Sequence, residues 1–476
     1  MWYNNIMRNW TVITATTIAA ACASVAILTP AAGNAHTAPI VNSGVTQTNS
    51  GWALASFINV DDISSENFWY PNDAGKGATV YIVDSGVAND SKIFDNVTSG
   101  FNALNSDSSG SANTDCTNHG TQVASVVAGE LSGLAKHATV VPVKVGECEE
   151  TYDNKNIISG LEWVKANPPA NGSTGIVNLS FGFMNDDYYN DEGLEAEVQS
   201  LIDAGFFVTV SAGNDSGEKV YDSCNETPAR IPGVFTVGAY TSDDEKLYRS
   251  EFSNSGSCVD IWAPGGYVNT EKTSESKTAT TATVSGTSFA APFVAGLSAM
   301  LVGVNPAYTA AELEEIIKEH GVTGKLIDNA KHPLNANISY VTDSNNVYNA
   351  QAVANNTINL IAQLPVEVPD APEKTNNLQP SRFYDDAVVS WGNDSSIKNS
   401  AKISYIVAYA LVDEEGFIKT EGKQITTSDT QVTLHGLSDK HYAYKVTTVN
   451  NGRMGESTGW IEIPVVSFWL FGKWFA

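Results

Sequence analysis

Between residues 75 and 321 the apolar positions follow two alternating rhythms. Short runs rich in β-branched residues are apolar on consecutive positions: "TVYIV" at Thr79–Val83, "ATVVPVKV" at Ala138–Val145, "GIVNLSFG" at Gly175–Gly182, "FFVTVSAGN" at Phe206–Asn214 and "GVFTVGAY" at Gly233–Tyr240. Between them lie stretches with helical spacing: "HGTQVASVVAGEL" at His119–Leu131, "NIISGLEWVKA" at Asn156–Ala166 and "LEAEVQSLIDAG" at Leu194–Gly205. "SFAAPFVAGLSAMLV" at Ser288–Val302 and "TAAELEEIIKEHG" at Thr309–Gly321 complete the series, the second with a Thr N-cap and a Gly stop. A strand buried on both faces reads as a continuous apolar run. Such strands alternating with helices predict an α/β domain with a doubly wound parallel sheet. Ligands on these sheets bind at the carboxyl ends of strands, where Asp84 and Asn214 fall.

The rhythm changes on either side. Residues 36–75 are polar with scattered aromatics and read as an N-terminal arm, ahead of a domain over 76–360. Pro-rich "AQLPVEVPDAPEKT" reads as a linker, 361–372. Beyond it the period is two, in "DAVVSW", "KISYIVAYAL", "KQITT", "QVTLHGL" and "YAYKVTTVN". That pattern predicts a small all-β sandwich over 373–464. The tail 465–476 is aromatic, apolar and too short to span a bilayer. At the other end, Arg8, the apolar run Thr11–Leu28 and the small residues Gly33 and Ala35 read as a signal peptide over 1–35. An uncleaved anchor is the alternative.

Composition narrows the function. Of 476 residues, 42% are hydrophobic, which excludes a mostly disordered chain. The net charge of −27, with few Lys and Arg, argues against nucleic acid or an anionic membrane as partner. Cys22 lies in the leader, leaving Cys116, Cys148, Cys224 and Cys258. An even number in an exported chain suggests two disulfides, with three connectivities open. Sequence order favours Cys116–Cys148 and Cys224–Cys258, each closing a modest loop.

"VSGTSFAAP" at Val284–Pro292 poses the chemical question, because Ser288 follows Gly-Thr at the start of a helix. A nucleophilic serine needs a base, an acid to orient the base, and donors for an oxyanion. Of seven histidines, only His119 sits in a Gly-flanked helix start, "NHGT". Asp84 ends a buried strand, where a carboxylate needs a partner. Asn214 ends another strand and carries an amide that can donate. Each residue alone is an ordinary cap or turn former. Together they stand in the chain order Asp, His, Ser, one of the known orders of the catalytic triad. "GTSFA" is not G-x-S-x-G, which counts against a lipase-type hydrolase.

The blocks "VDSGV", "NHGT", "SAGN" and "GTSFAAP", in this order, resemble those of the subtilisin-like serine proteases. The resemblance implies that Asp84 orients, His119 is general base and acid, and Ser288 attacks. The Asn214 amide and the Ser288 N–H would hold the oxyanion. Cys116 three residues before His119, Cys148 after it, "FSNSGSCVDIWAPG" and "QTNSGWALASFI" resemble the proteinase K group, which supports the same disulfide pairs. Substrate would pair by strand addition with Ser180, Phe181 and Gly182 and with Ser211, Ala212 and Gly213. A structural calcium is implied at the Pro232 and Val234 carbonyls and the Asp260 carboxylate; catalysis itself needs no cofactor.

Three departures stand out. Gln122 replaces the usual second histidine, and Phe181-Gly182-Phe183 replaces Leu-Gly-Gly. Only residues 36–46 separate the leader from the mature-like start at Gln47. That spacing implies folding without a long prosegment, or a sequence lacking its upstream part. The C-terminal strands resemble a fibronectin type III domain at Trp391, Tyr405, Leu437 and Tyr442. The resulting expectation is a secreted, monomeric serine endopeptidase acting on proteins or peptides, with broad, apolar-leaning specificity. Its rival is a protease-like binding or adhesion protein. A processing protease cutting after basic pairs is the third option, and a strongly acidic S1 and S2 lining would mark it.

Overall fold

The structure, a computed structural model, describes residues 44–463. Excepted are 62, 105–110, 149–151, 185–191, 215–221, 244, 275–278, 328–338, 344–345, 350–357, 365–374, 384–385, 393–402, 413–417, 419–422, 438–440, 451–452, 455–456 and 459. The predicted leader and apolar tail lie outside the described residues, as does most of the predicted linker.

A mainly parallel sheet forms the heart of the larger domain. From the middle outwards, Thr79–Asp84 pairs in parallel with Thr139–Lys144 on one side and Ile176–Leu179 on the other. Beyond Ile176–Leu179 come Phe207–Ser211, Phe235–Asp243 and Ile261–Pro264, each parallel to its neighbour. The chain thus leaves Thr79–Asp84 to one side and returns on the other. That makes the carboxyl end of this strand a topological switch point, where open α/β sheets bind ligands. The apolar runs are continuous because each strand faces two cores. Val80 and Ile82 point into one, with the helices His119–Ala128 and Thr287–Val304. Tyr81 and Val83 point into the other, with the helices Asn154–Ala166 and Glu192–Asp203. The doubly wound architecture is therefore as the pattern predicts.

The helix Thr287–Val304 is apolar all round because it is a core helix, buried along nearly its whole length.

Two boundaries move. The arm is part of the domain: Gly44–Gln47 pairs antiparallel with Phe68–Pro71, and Phe57, Phe68 and Trp69 are buried in the first core. At the other end the sheet takes in Leu360–Ile361, with Ile361 beside Trp262, and Ala362 and Leu364 are buried in the same core. The "AQLP" stretch therefore closes the domain, and its Pro content hides that role. A hairpin, Val268–Thr273 with Ala279–Val284, also packs near the His119 helix. Its Thr-rich sequence gave no clear strand signal.

Further along, Gln379–Phe383, Asp386–Ser390 and Gln431–Leu434 form one antiparallel sheet. Lys423–Thr427, Ile403–Leu411, Tyr442–Asn450, Arg453–Met454 and Ile461–Ile463 form a second. Val389, Trp391, Tyr405, Leu437 and Tyr444 belong to their shared core. The period of two is that of strands with one buried face.

Candidate active site

Asp84 closes its strand fully buried, and one carboxylate oxygen collects the donors. Oδ1 accepts from the Ser85 N–H at 2.7 Å and the Tyr152 hydroxyl at 3.3 Å, and lies 2.8 Å from His119 Nδ1. A carboxylate so held fixes the imidazole's orientation and the tautomer that leaves Nε2 basic.

His119 is the first residue of its helix, and that helix start is built by Asp115. Asp115 Oδ2 accepts from the Thr121 N–H at 2.8 Å and the Thr121 hydroxyl at 2.6 Å. Its Oδ1 accepts from the Asn118 N–H at 3.0 Å and the Ser85 hydroxyl at 2.9 Å. A carboxylate at a helix N-terminus satisfies orphan donors and complements the helix dipole. Gly120 is required by closeness: a Cβ there would meet the Gly86 carbonyl at 2.2 Å and the Asp84 Cβ at 3.1 Å. Lys144, beside Asp84 in the sheet register, lies under this assembly. Its ammonium donates to the Ser85 carbonyl and, at 3.0 Å, to the Thr114 carbonyl. Burial pulls the Lys144 pKa down, while Asp115 and Asp84 oppose that.

Ser288 is the second residue of the buried helix. Its hydroxyl donates to the Ser180 carbonyl at 3.0 Å, and the Ser180 hydroxyl donates to the Ser288 carbonyl at 2.7 Å. The second bond follows from Pro292. Four residues on, Pro292 has no N–H to give the Ser288 carbonyl, so Ser180 supplies the missing donor. Ser288 is thereby tied to the strand-end segment expected to bind substrate. The His119 ring lies 5.6 Å, centroid to centroid, from that of Phe289, the next residue. The imidazole thus lies near the start of the helix that carries Ser288. Hydrogen bonds between a base and its nucleophile are often made only when substrate is present.

Asn214 is oriented by its neighbour. Its Oδ1 accepts from the Thr287 N–H at 2.7 Å and the Thr287 hydroxyl at 2.9 Å. A backbone N–H can only donate, so the amide oxygen must face it and Nδ2 faces away. Nδ2 and the Ser288 N–H, one of the unpaired donors of the helix start, are the two groups for an oxyanion.

The remaining sites divide. Ser180, Phe181 and Gly182 run beside Ser288, while Ser211, Ala212 and Gly213 lead into Asn214. Phe181 turns into the second core against Tyr152 and Phe183, with ring centroids 5.6 and 6.0 Å away. Gln122 donates to the Thr270 hydroxyl at 3.0 Å, joining the helix to the hairpin. Both expected disulfides, Cys116–Cys148 and Cys224–Cys258, are formed.

The residues implied for calcium do not fit that ion. Asp260 Oδ1 is 2.8 Å from the Lys318 ammonium, and its Oδ2 accepts from the Thr236 N–H at 2.8 Å. Burial raises the Asp260 pKa against these bonds. Burial alone would lower that of Lys318, but Asp260 and Glu314 outweigh it and raise it. A cation from the chain already sits on the carboxylate, so Pro232 and Val234 lack the anionic third ligand. Among the described residues, no group of three or more His, Cys, Asp or Glu stands ready for a metal.

Asp115, Lys144 and Tyr152 were not singled out in the sequence. Their only signals are an acid four residues before His119 and a lone cation ending an apolar strand.

Known proteins resemble this chain over its larger domain. The family model described as the subtilase family matches residues 75–356. The chain belongs to the subtilase family. Over 291 residues it is 35% identical to "Alkaline serine exoprotease A" of Vibrio alginolyticus, covering 61% of this chain and 50% of that protein. It is equally 35% identical over 295 residues to "Subtilisin-like protease 6" of Trichophyton soudanense, covering 58% and 66%. The chain thus spans about half to two thirds of the length of these relatives. A crystal structure of a cold adapted subtilisin-like serine proteinase superposes with a TM-score of 0.53 at 29% identity, over 68% of this chain and all of that one. In this subtilase the motif blocks meet at the carboxyl edge of the sheet.

Proposed function

We propose that the chain is an exported serine endopeptidase that hydrolyses proteins through Asp84, His119 and Ser288. The observation that carries this is the 2.8 Å contact between His119 Nδ1 and Asp84, beside a serine whose helix start faces an oriented Asn214 amide. His119 Nε2 takes the Ser288 proton as Oγ attacks the substrate carbonyl. The tetrahedral oxyanion sits between Asn214 Nδ2 and the Ser288 N–H. Collapse breaks the peptide bond, His119 returns the proton to the leaving amine, and water releases the acyl group by the same route.

Export is supported by the leader-like N-terminus and by two disulfides, which persist in oxidising compartments. The disulfide pairs favour the proteinase K-like group. For the C-terminal unit we propose a fibronectin type III-like sandwich, supported by its two antiparallel sheets over Trp391 and Tyr405, whose rings meet edge-on at 5.2 Å. Such a fold does not itself define a role.

The test is casein hydrolysis by the purified chain beside Ser288→Ala, with and without phenylmethylsulfonyl fluoride. Activity lost in both cases supports the reading. A folded wild type that neither cleaves casein nor is acylated by the inhibitor refutes it.

A further inference from the structure

The apolar-leaning specificity expected from the sequence meets a carboxylate close to the segments that flank Ser288. Two segments border the space beside Ser288. One is Ser180–Gly182, whose Ser180 carbonyl is 3.0 Å from the nucleophilic oxygen. The other is Ser211–Asn214, joined to the residue before the nucleophile through the Gly213 N–H and the Thr287 hydroxyl at 3.2 Å. A substrate's P1 residue carries the carbonyl that Ser288 attacks, so its side chain starts between these walls. Glu226 lies close to both. A Cβ placed on Gly182 would find Glu226 Oε2 as its nearest neighbour, at 3.4 Å. One placed on Gly213 would run into the Asn254 amide nitrogen at 2.2 Å, with Glu226 Cγ next to it at 3.3 Å. Oε1 lies 3.4 Å from the Asn254 amide nitrogen, which donates to it. Backbone pairing of Phe183–Met184 with Glu226–Thr227 holds the residue in place. Glu226 is only 5% exposed.

We propose that Glu226 forms the floor of the P1 pocket and selects substrates with lysine or arginine at P1. The inference rests on the hydrolase reading above. The chemistry is that of a largely desolvated carboxylate flanked by two glycines, one on each segment beside Ser288. An apolar P1 side chain seals that carboxylate from water without replacing the lost hydrogen bonds. A cationic side chain long enough to reach it makes charge-assisted bonds instead. An acidic P1 residue is repelled. An acidic pocket floor selects Lys and Arg in an unrelated serine protease fold by the same logic. The chain's net charge of −27 favours encounter with cationic segments as well.

The experiment compares fluorogenic peptides that share P4–P2 and differ only at P1, as Arg, Lys, Phe, Leu or Glu. The wild type is expected to favour Arg and Lys over Phe and Leu by about 100-fold in kcat/KM. Glu226→Gln keeps an acceptor for Asn254 and is expected to bring that ratio to within about 3-fold. Glu226→Asp is expected to retain a reduced preference. A wild type that favours Phe or Leu, or a Glu226→Gln variant with an unchanged ratio, overturns the proposal. Binding separates this failure from that of the hydrolase reading. In Ser288→Ala, calorimetry with peptides ending in Arg or in Phe reports the pocket without turnover. Tighter binding of the Arg peptide supports the assignment even where no peptide is cleaved, and equal binding rejects it.

Discussion

Two aspartates, one fully buried and one partly exposed, mark opposite ends of one sheet. Asp84 ends its strand at the carboxyl edge, and Asp260 immediately precedes the strand Ile261–Pro264 at the amino edge. Both accept a backbone N–H and both have a basic partner 2.8 Å away. The partners set the outcome. An imidazole can both take up and give back a proton, so the His119 that Asp84 orients suits the acid–base role proposed for it. Lys318 stays charged, held so by Asp260 and Glu314, and the pair is a fixed strut. Buried carboxylates are thus not equivalent evidence of function; the titration range of the partner decides.

The largest effects are expected at the carboxyl edge. Asp84→Asn should lower kcat by about 10,000-fold with the thermal midpoint nearly unchanged, because the imidazole takes the wrong tautomer. Steady-state kinetics and a melting curve on the same sample check both halves. Asn214→Ala should lower kcat by about 100- to 1,000-fold with little change in KM, as expected for a group that acts in the transition state. A matching rise in KM would instead place Asn214 in ground-state binding.

At the amino edge only stability should move. Lys318→Met should cost about 1–2 kcal/mol in urea unfolding, since the pair is partly exposed, and leave kcat intact. Removal of calcium by a chelator should not shift the wild-type midpoint through Asp260. A chelator-induced drop that appears only in Lys318→Met would show that an ion can take the lysine's place at Asp260, and one already present in the wild type and lost in Asp260→Asn would overturn the fit argued here.

The smallest effect concerns Lys136, where burial lowers the pKa to about 8 against the pull of Glu130 and Glu271. Its folded pKa is below its unfolded value. The unfolded chain therefore binds more protons between the two, and this group's contribution to stability rises with pH. Relative to Lys136→Met, the wild type should gain about 1 kcal/mol between pH 7 and pH 9. A constant difference across that range would place the amine in water.

The same contrast explains what the sequence revealed. The strands were legible because both faces are buried, and the triad because four local motifs each carry their own turn chemistry. Asp115 and Lys144 were not, because their roles arise from register and loop contact: a lone Asp reads as a turn former. Lys318 lies 58 residues from Asp260 on a different element, so no local pattern joins them. Glu226 gains its meaning only from Gly182 and Gly213, two glycines on separate walls.

Pro292 has a consequence in time as well as in space. Its missing amide hydrogen leaves the Ser288 carbonyl to be completed by Ser180, 108 residues earlier. No stretch of nascent chain lacking either part can offer the serine in its finished setting. The catalytic competence proposed for Ser288 is therefore a property of the closed sheet and its central helix together. On the reading proposed above, such competence cannot precede the pairing of these two distant segments.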